Sequence, residues 1–124
     1  MRKMKFVKAA FLANAIFIVA VAANVLRFQY GAEDAFWRTL MSPFEGTVWT
    51  PQFSESAFAK IEVGMAASEV VGLVGKPLRR DCGTMGCFWI YTWHDSDTAD
   101  FDQRWVVFDV AERVSEIRKS FFID

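Results

Sequence analysis

Hydrophobic and polar positions divide the chain into three textures. From Ala9 to Leu26 the residues are apolar except Asn14 and Asn24. At roughly 1.5 Å per residue this run makes a helix about 27 Å long, close to the roughly 30 Å hydrocarbon core of a bilayer. From residue 28 to 52 apolar residues, many aromatic, mix irregularly with polar ones. From residue 53 onward two short helical patterns give way to runs of period two. The expected organisation is a membrane anchor or signal segment over 1–27, an aromatic tether over 28–52, and a folded domain over 53–124.

The folded domain is organised around Ile61 to Pro77. Ser54 is a good N-cap for a helix running to about Ile61, and Phe53 and Phe58 flank that cap as a hydrophobic staple. Gly64 permits a tight reversal. Met65 leads into a second helix whose residues Val70, Val71, Leu73 and Val74 crowd one side. Gly75 suits the left-handed position after a helix, and Pro77 prevents its continuation. Helices this short are unstable alone, so both must bury their apolar faces on the strands that follow.

Those strands are predicted at Leu78–Cys82, Cys87–His94, Arg104–Val110 and Val114–Ile123, joined by turns at Gly83–Gly86, Asp95–Asp100 and Val110–Arg113. The pattern implies an α+β domain: an N-terminal transmembrane or signal helix, then two short helices on one face of a three- to four-stranded antiparallel sheet. Within Cys87–His94, alternation places Trp89, Tyr91 and Trp93 on one face and Phe88, Ile90 and Thr92 on the other. One face meets the helices. The other is either shielded by the tether or left as a binding surface.

In the tether, residues 32–41 predict a short amphipathic helix, with Phe36 and Leu40, and Trp37 and Met41, four apart. Ser42-Pro43 ends it. Phe44 to Phe53 reads as an extended connector, too aromatic for a solvated linker. It either folds onto the domain or docks on a partner.

Charge fixes the orientation of the apolar run. Arg2, Lys3, Lys5 and Lys8 precede it and Arg27 follows, with no acid among residues 1–27. The positive-inside rule keeps Met1 to Lys8 cytoplasmic and sends the rest across the membrane. A bacterial inner-membrane protein with one span, its N-terminus cytoplasmic and its domain periplasmic, is one expectation. Secretion to the periplasm after cleavage at Ala20-Val21-Ala22 or Val21-Ala22-Ala23 is the other. No cysteine adjoins the run, which excludes a lipid-modified N-terminus. Small residues four apart, Ala9 and Ala13, allow close helix packing, although alanine is common in such segments. Residues 28–124 hold nine basic residues against all 15 acidic ones, and this negative balance argues against nucleic-acid binding.

Candidate chemistry is sparse. No Gly-x-Ser-x-Gly, phosphate-binding loop or His-Glu-x-x-His occurs, and His94 is the only histidine. At a strand end beside an acidic turn, His94 reads as a solvated residue. Asp95, Asp97, Asp100 and Asp102 resemble a calcium loop only loosely, because Ala99 and Asp100 stand where such a loop needs a ligand and a glycine. Cys82 and Cys87 flank a four-residue turn, where cross-strand neighbours are within disulfide reach. A structural disulfide, free thiols, or a metal or redox role are the alternatives. No cofactor, metal or small-molecule substrate is expected, and no catalytic activity. Candidate partner-binding residues are Trp37, Trp49, Trp89, Tyr91, Trp93 and Trp105.

The run Phe58-x-x-Ile61-x-x-Gly64-Met65-x-x-x-Glu69-Val70-x-x-Leu73-x-Gly75-x-Pro77, followed by Trp89-x-Tyr91 and by Val106-x-Phe108-Asp109-x-x-x-Arg113-Val114, resembles the SmpA/OmlA family. That family includes the small lipoprotein of the bacterial outer-membrane β-barrel assembly machinery. The arrangement is also similar to the β-lactamase inhibitor protein repeat. The resemblance covers roughly Phe53 to Lys119, with Gly64, Met65, Glu69, Val70, Gly75 and Pro77 as its structural motif. It implies two helices on a sheet, a bond between Cys82 and Cys87, and a protein partner in an envelope or membrane complex. The chain would then help assemble or stabilise that complex. Alternatives are an accessory subunit of an integral membrane enzyme, or a periplasmic inhibitor or regulator of an enzyme. Three positions depart from the family pattern. Ala66 replaces the usual Ser or Thr, Glu112 replaces the usual Gly before Arg113-Val114, and the lipid-attachment Cys is absent.

Overall fold

The computed structural model describes residues 2–123, so Met1, which opens the basic flank, lies outside the described residues. The chain is α+β and divides into two compact units, residues 1–43 and 44–124. The division falls upstream of Phe53.

The first unit holds helix α1 (Arg2–Phe28) and helix α2 (Ala32–Leu40). α1 is long and apolar enough to cross a membrane or to serve as a signal sequence, and no residue of its apolar stretch is buried. Gln29 at φ 54° turns the chain between the two helices. Asn24 Nδ2 donates to Thr39 Oγ1 at 2.8 Å, and the Phe17 and Phe36 rings meet edge to face at 5.6 Å. Acids Glu33 and Asp34 occupy the first turn of α2, where they complement its dipole.

In the second unit, strand β1 (Thr47–Trp49) precedes helices α3 (Glu55–Phe58) and α4 (Ala67–Val74). Strands β2 (Arg79–Gly83), β3 (Gly86–Ile90), β4 (Thr92–His94), β5 (Phe101–Phe108) and β6 (Val114–Phe122) follow. Antiparallel pairing gives one four-stranded sheet in the order β2-β3-β5-β6 and a separate pair β1-β4. The connector after Phe44 is therefore part of this unit, because β1 pairs with β4.

Local signals set the helix ends. Ser54 Oγ accepts the Ala57 N–H at 3.2 Å, and the Phe53 and Phe58 rings sit 5.7 Å apart as a staple. α3 stops at Phe58 rather than Ile61. Beyond it the chain tightens, with Lys60 N–H donating to Ala57 O and Ile61 N–H to Phe58 O. α4 starts without a side-chain cap at Ala66, although Glu69 Oε2 accepts the Ala66 N–H at 2.7 Å. The hairpin turn supplies the missing acceptor for the next donor, since Ala67 N–H reaches Glu112 O at 3.2 Å. Gly75 ends α4 at φ 76° and ψ −165°, a region essentially confined to glycine.

Helices α3 and α4 cover one face of the four-stranded sheet. The core between them comprises Phe58, Ile61, Val70, Trp89, Tyr91, Val106, Phe108 and Val114. The strand expected to run unbroken from Cys87 to His94 instead breaks at Tyr91. There the chain changes partners: Tyr91 N–H donates to Arg104 O at 3.0 Å, while Tyr91 O accepts the Thr50 N–H at 3.0 Å. The Tyr91 hydroxyl donates to Gly75 O at 2.8 Å, and burial raises its pKa. β4 then leaves the large sheet to pair with β1. The expected alternation is lost at that point, and Trp93 does not share a face with Trp89 and Tyr91.

Candidate functional site

The sheet has one covered face and one open face, and β3 and β5 define both. Trp89 lies opposite Val106, and Cys87 opposite Phe108, on the helix side. Phe88 lies opposite Val107, and Ile90 opposite Trp105, on the far side. β6 brings Arg118 opposite Trp105, and β2 brings Arg79 opposite Ile90. The break at Tyr91 adds Trp93 to this far face, where its ring stacks on Trp105 at 5.5 Å and 14°. Trp105 Nε1–H donates to Thr92 O at 3.1 Å, which holds the indole in place.

Two guanidinium groups flank these rings. Arg79 stands 4.7 Å from the Trp93 ring centroid, and Arg118 stands 5.1 Å from that of Phe88. Each is worth about 0.5–1 kcal/mol at an exposed site. Arg79 also pairs with Asp81 at 3.0 Å, and Arg118 with Glu116 at 2.9 Å. The patch is therefore aromatic, close to neutral, and rimmed by charge on both sides. It continues toward the β2–β3 turn as a shallow groove lined by Asp81, Met85, Phe88 and Val107, with Met85 88 % exposed. At the other end Phe101 packs against Trp93 at 5.8 Å and Phe122 at 5.3 Å.

Of the six aromatic candidates, the open face gathers only Trp93 and Trp105. Trp89 and Tyr91 are core residues and present no surface for a partner. Trp49 packs on Phe53 at 4.9 Å and lies beneath the Arg104 guanidinium. Trp37 belongs to α2 in the first unit and is exposed. Phe88, Arg79 and Arg118 were not singled out by sequence. The alternation of β3 supplied the signal for Phe88, whereas the arginines depend on strand register.

The cysteines form a disulfide. Gly83 pairs with Gly86 across the turn, which sets Cys82 directly opposite Cys87 with a Cα–Cα distance of 4.1 Å. This ties the exposed edge strand β2 to β3. The motif glycines and Pro77 act on backbone geometry, while Met65 and Val70 pack in or on the core. None of them reaches the open face.

The acidic turn is held by its own hydrogen bonds and by Gly46, whose O accepts the Asp95 N–H at 3.1 Å and whose N–H donates to Asp100 O at 3.2 Å. Asp95 Oδ1 accepts the Asp97 N–H at 2.9 Å, the Thr98 N–H at 2.8 Å and the Thr98 hydroxyl at 2.9 Å. These bonds, led by the Asp97 N–H, lower the Asp95 pKa. Gly46 sits against this loop, and any side chain there would collide with the Asp95 carboxylate and the Thr98 hydroxyl. Among the described residues no group of three or more His, Cys, Asp or Glu side chains could hold a metal ion. His94 is not the solvated residue expected from sequence: it is half-buried, with Nδ1 2.6 Å from Asp95 O and its ring packed near Trp93 and Phe101.

One polar feature went unnoticed in the sequence. Arg104 on β5 is fully buried and forms a bidentate pair with Glu55 at the start of α3, with Nη2 to Oε1 at 2.6 Å and Nε to Oε2 at 3.2 Å. Lys119 Nζ lies 3.7 Å from Glu55 Oε2. Burial lowers the Lys119 pKa; Glu55 opposes this and Arg104 adds to it. The pair clamps α3 to the sheet and sits on the covered side. The signal was the phase of Arg104 with Val106 and Phe108, two and four residues on, which marks it as inward-facing.

Fold and surface together define a small disulfide-pinned α+β domain, preceded by a helix long and apolar enough to cross a membrane. No family model matches the chain, and no curated protein matches it.

Proposed function

We propose that the chain is a membrane-anchored protein-interaction module without catalytic activity, which helps assemble or stabilise a larger complex in the bacterial envelope. α1 is its single inner-membrane span, with the N-terminus in the cytoplasm and residues 44–124 in the periplasm. The basic residues ahead of the apolar run support that orientation, and the Cys82–Cys87 bond suits an oxidising compartment. The likeness of the Gly64–Pro77 motif to SmpA/OmlA domains supports an assembly role.

The observation that carries this reading is the open face of the sheet. Phe88, Trp93 and Trp105 lie there half-exposed beside Arg79 and Arg118. Aromatic and arginine side chains are enriched at protein interfaces, where they supply most of the binding energy. The test is purification of the full-length chain in mild detergent, with mass spectrometry of what accompanies it. A partner recovered in stoichiometric amount, and lost in the Phe88→Ser/Arg118→Glu variant, is the expected result. Recovery of the wild-type chain alone would refute the complex-subunit function.

A further inference from the structure

Helix α2 leaves an apolar arc uncovered. Successive residues turn by about 100° in a helix of 3.6 residues per turn, which places Phe36, Leu40, Trp37 and Met41 within one arc of about 140°. Three of these are well exposed: Phe36 at 41 %, Trp37 at 40 % and Leu40 at 46 %. Asp34 and Arg38 fall beyond the arc, and Ala35 and Thr39 on the remaining side, where Ala35 is fully buried and Thr39 bonds Asn24.

The arc is continuous with the lipid-facing surface of α1. Asn24, the partner of Thr39, lies about 6 Å along the helix axis from the end of α1 at Phe28. Phe17, which the Phe36 ring meets at 5.6 Å, lies about 16 Å from that end. Half of a hydrocarbon core is roughly 15 Å. With α1 across the bilayer, the Asn24–Thr39 bond lies just inside the border and the Phe36 ring reaches into the acyl region. Arg27 and Arg38 mark the border itself, with their guanidinium carbons 4.9 and 5.0 Å from the Phe28 ring centroid. Arginines at this level keep their charge among the headgroups while their stems lie on apolar surface.

We infer that α2 is an interfacial helix, seated in the periplasmic leaflet with Trp37 and Leu40 in the acyl–headgroup boundary and the Phe36 ring deeper, among the acyl chains against Phe17. Its occupant is lipid, and the anchor is a helical hairpin rather than a single rod. This rests on the proposed membrane anchoring of α1. An amphipathic helix in this position buries its apolar face roughly 5–10 Å below the headgroups, and tryptophan favours that depth. The chain then leaves the membrane after Leu40 from a fixed position instead of from the end of a free tether.

The test uses the oxidised full-length protein in vesicles of phosphatidylcholine and phosphatidylglycerol. A nitroxide is attached in turn at Phe36→Cys, Trp37→Cys, Leu40→Cys, Asp34→Cys and Ile18→Cys. Accessibility to oxygen, which dissolves in lipid, is compared with accessibility to a water-soluble nickel chelate. The three arc positions are expected to show an oxygen-to-nickel ratio about threefold or more above that at residue 34, in line with Ile18. If the arc positions match residue 34 while Ile18 faces lipid, α2 lies in water and the inference fails with the anchor intact. Low accessibility to both reagents along the arc means protein covers it, which also overturns the inference. If Ile18 is open to nickel, the anchor reading falls, and this inference falls with it.

Discussion

Arg104 carries a formal charge in a place where charge is costly, and Glu55 is what makes its position tolerable. Removing one partner of a buried pair leaves the other desolvated, which costs about 3–5 kcal/mol. Glu55 is itself 20 % exposed and Arg104 also donates to Gln103 O, so the lower end applies. Glu55→Ala is expected to destabilise residues 44–124 by about 3 kcal/mol in urea unfolding, and an effect within error of zero would show that the pair is not a clamp. Asp95 supplies a pH-dependent contribution of known sign. Its folded-state pKa is depressed, chiefly by the Asp97 N–H and the Thr98 hydroxyl. The stabilisation is therefore present above the unfolded carboxylate pKa of about 3.9 and is lost as pH falls through the folded value. Asp95→Asn should lower the Tm at pH 7, and the gap from wild type should close as the pH drops below about 4. A gap that stays constant with pH would mean that the charge contributes nothing beyond the hydrogen bonds.

Among the elements, α4 shows how a missing cap is replaced. Ser, Thr, Asp or Asn is usual at an N-cap, where this chain has Ala66. Ala66 nonetheless keeps the extended backbone of an N-cap, at φ −73° and ψ 153°. Glu69 Oε2 and Glu112 O satisfy neighbouring donors instead. The acceptor from Glu112 depends on a tight hairpin in which Glu112 takes φ 59°, the position where glycine is usual. The uncapped start of α4 and Glu112 thus meet at one place in the fold. Ala66→Ser restores a side-chain acceptor at an N-cap already in the right geometry. It should stabilise by about 1 kcal/mol and raise the Tm by a few degrees in calorimetry; an unchanged or lower Tm would show that the hairpin already provides what the cap would. These helix ends were legible in sequence because caps and glycine turns act within a few residues. The end of β3 was not. Cys87 to His94 has high β-propensity throughout, and nothing local marks Tyr91. The strand breaks there because Thr50, far away in sequence, takes over its carbonyl.

For the molecule as a whole, the central hydrophobic cluster lies within one unit: all eight of its buried residues fall between Phe58 and Val114. The disulfide lies in the same unit and closes a short loop, worth about 2 kcal/mol in the chain-entropy model. A fragment spanning residues 44–124 should therefore fold alone, with native far-UV circular dichroism and one cooperative thermal transition. A gradual, featureless melt would show that residues 1–43 are needed to complete the fold. Such a fragment also separates the proposed binding by the open sheet face from anything residues 1–43 contribute.

By itself, the sequence determined the features that short-range chemistry controls. An apolar stretch long enough for a bilayer, the basic flank ahead of it, the Ser54 cap, the Gly64 and Gly75 turns and the Cys82–Cys87 hairpin all follow from neighbours in the chain. Tertiary structure decided which aromatic residues are surface and which are core. Trp89, Tyr91 and Trp93 look alike in a two-residue period, but long-range pairing with Thr50 and Arg104 breaks the strand between them. Two rings go under the helices and the third joins Trp105 on the open face. Strand register also placed Arg79 and Arg118 beside those rings, and buried Arg104 against Glu55. The physical reason is the same in each case. Capping and turn energies are local and can be read along the chain, whereas burial and side-chain partnership are fixed by residues far apart in sequence that meet only when the sheet closes.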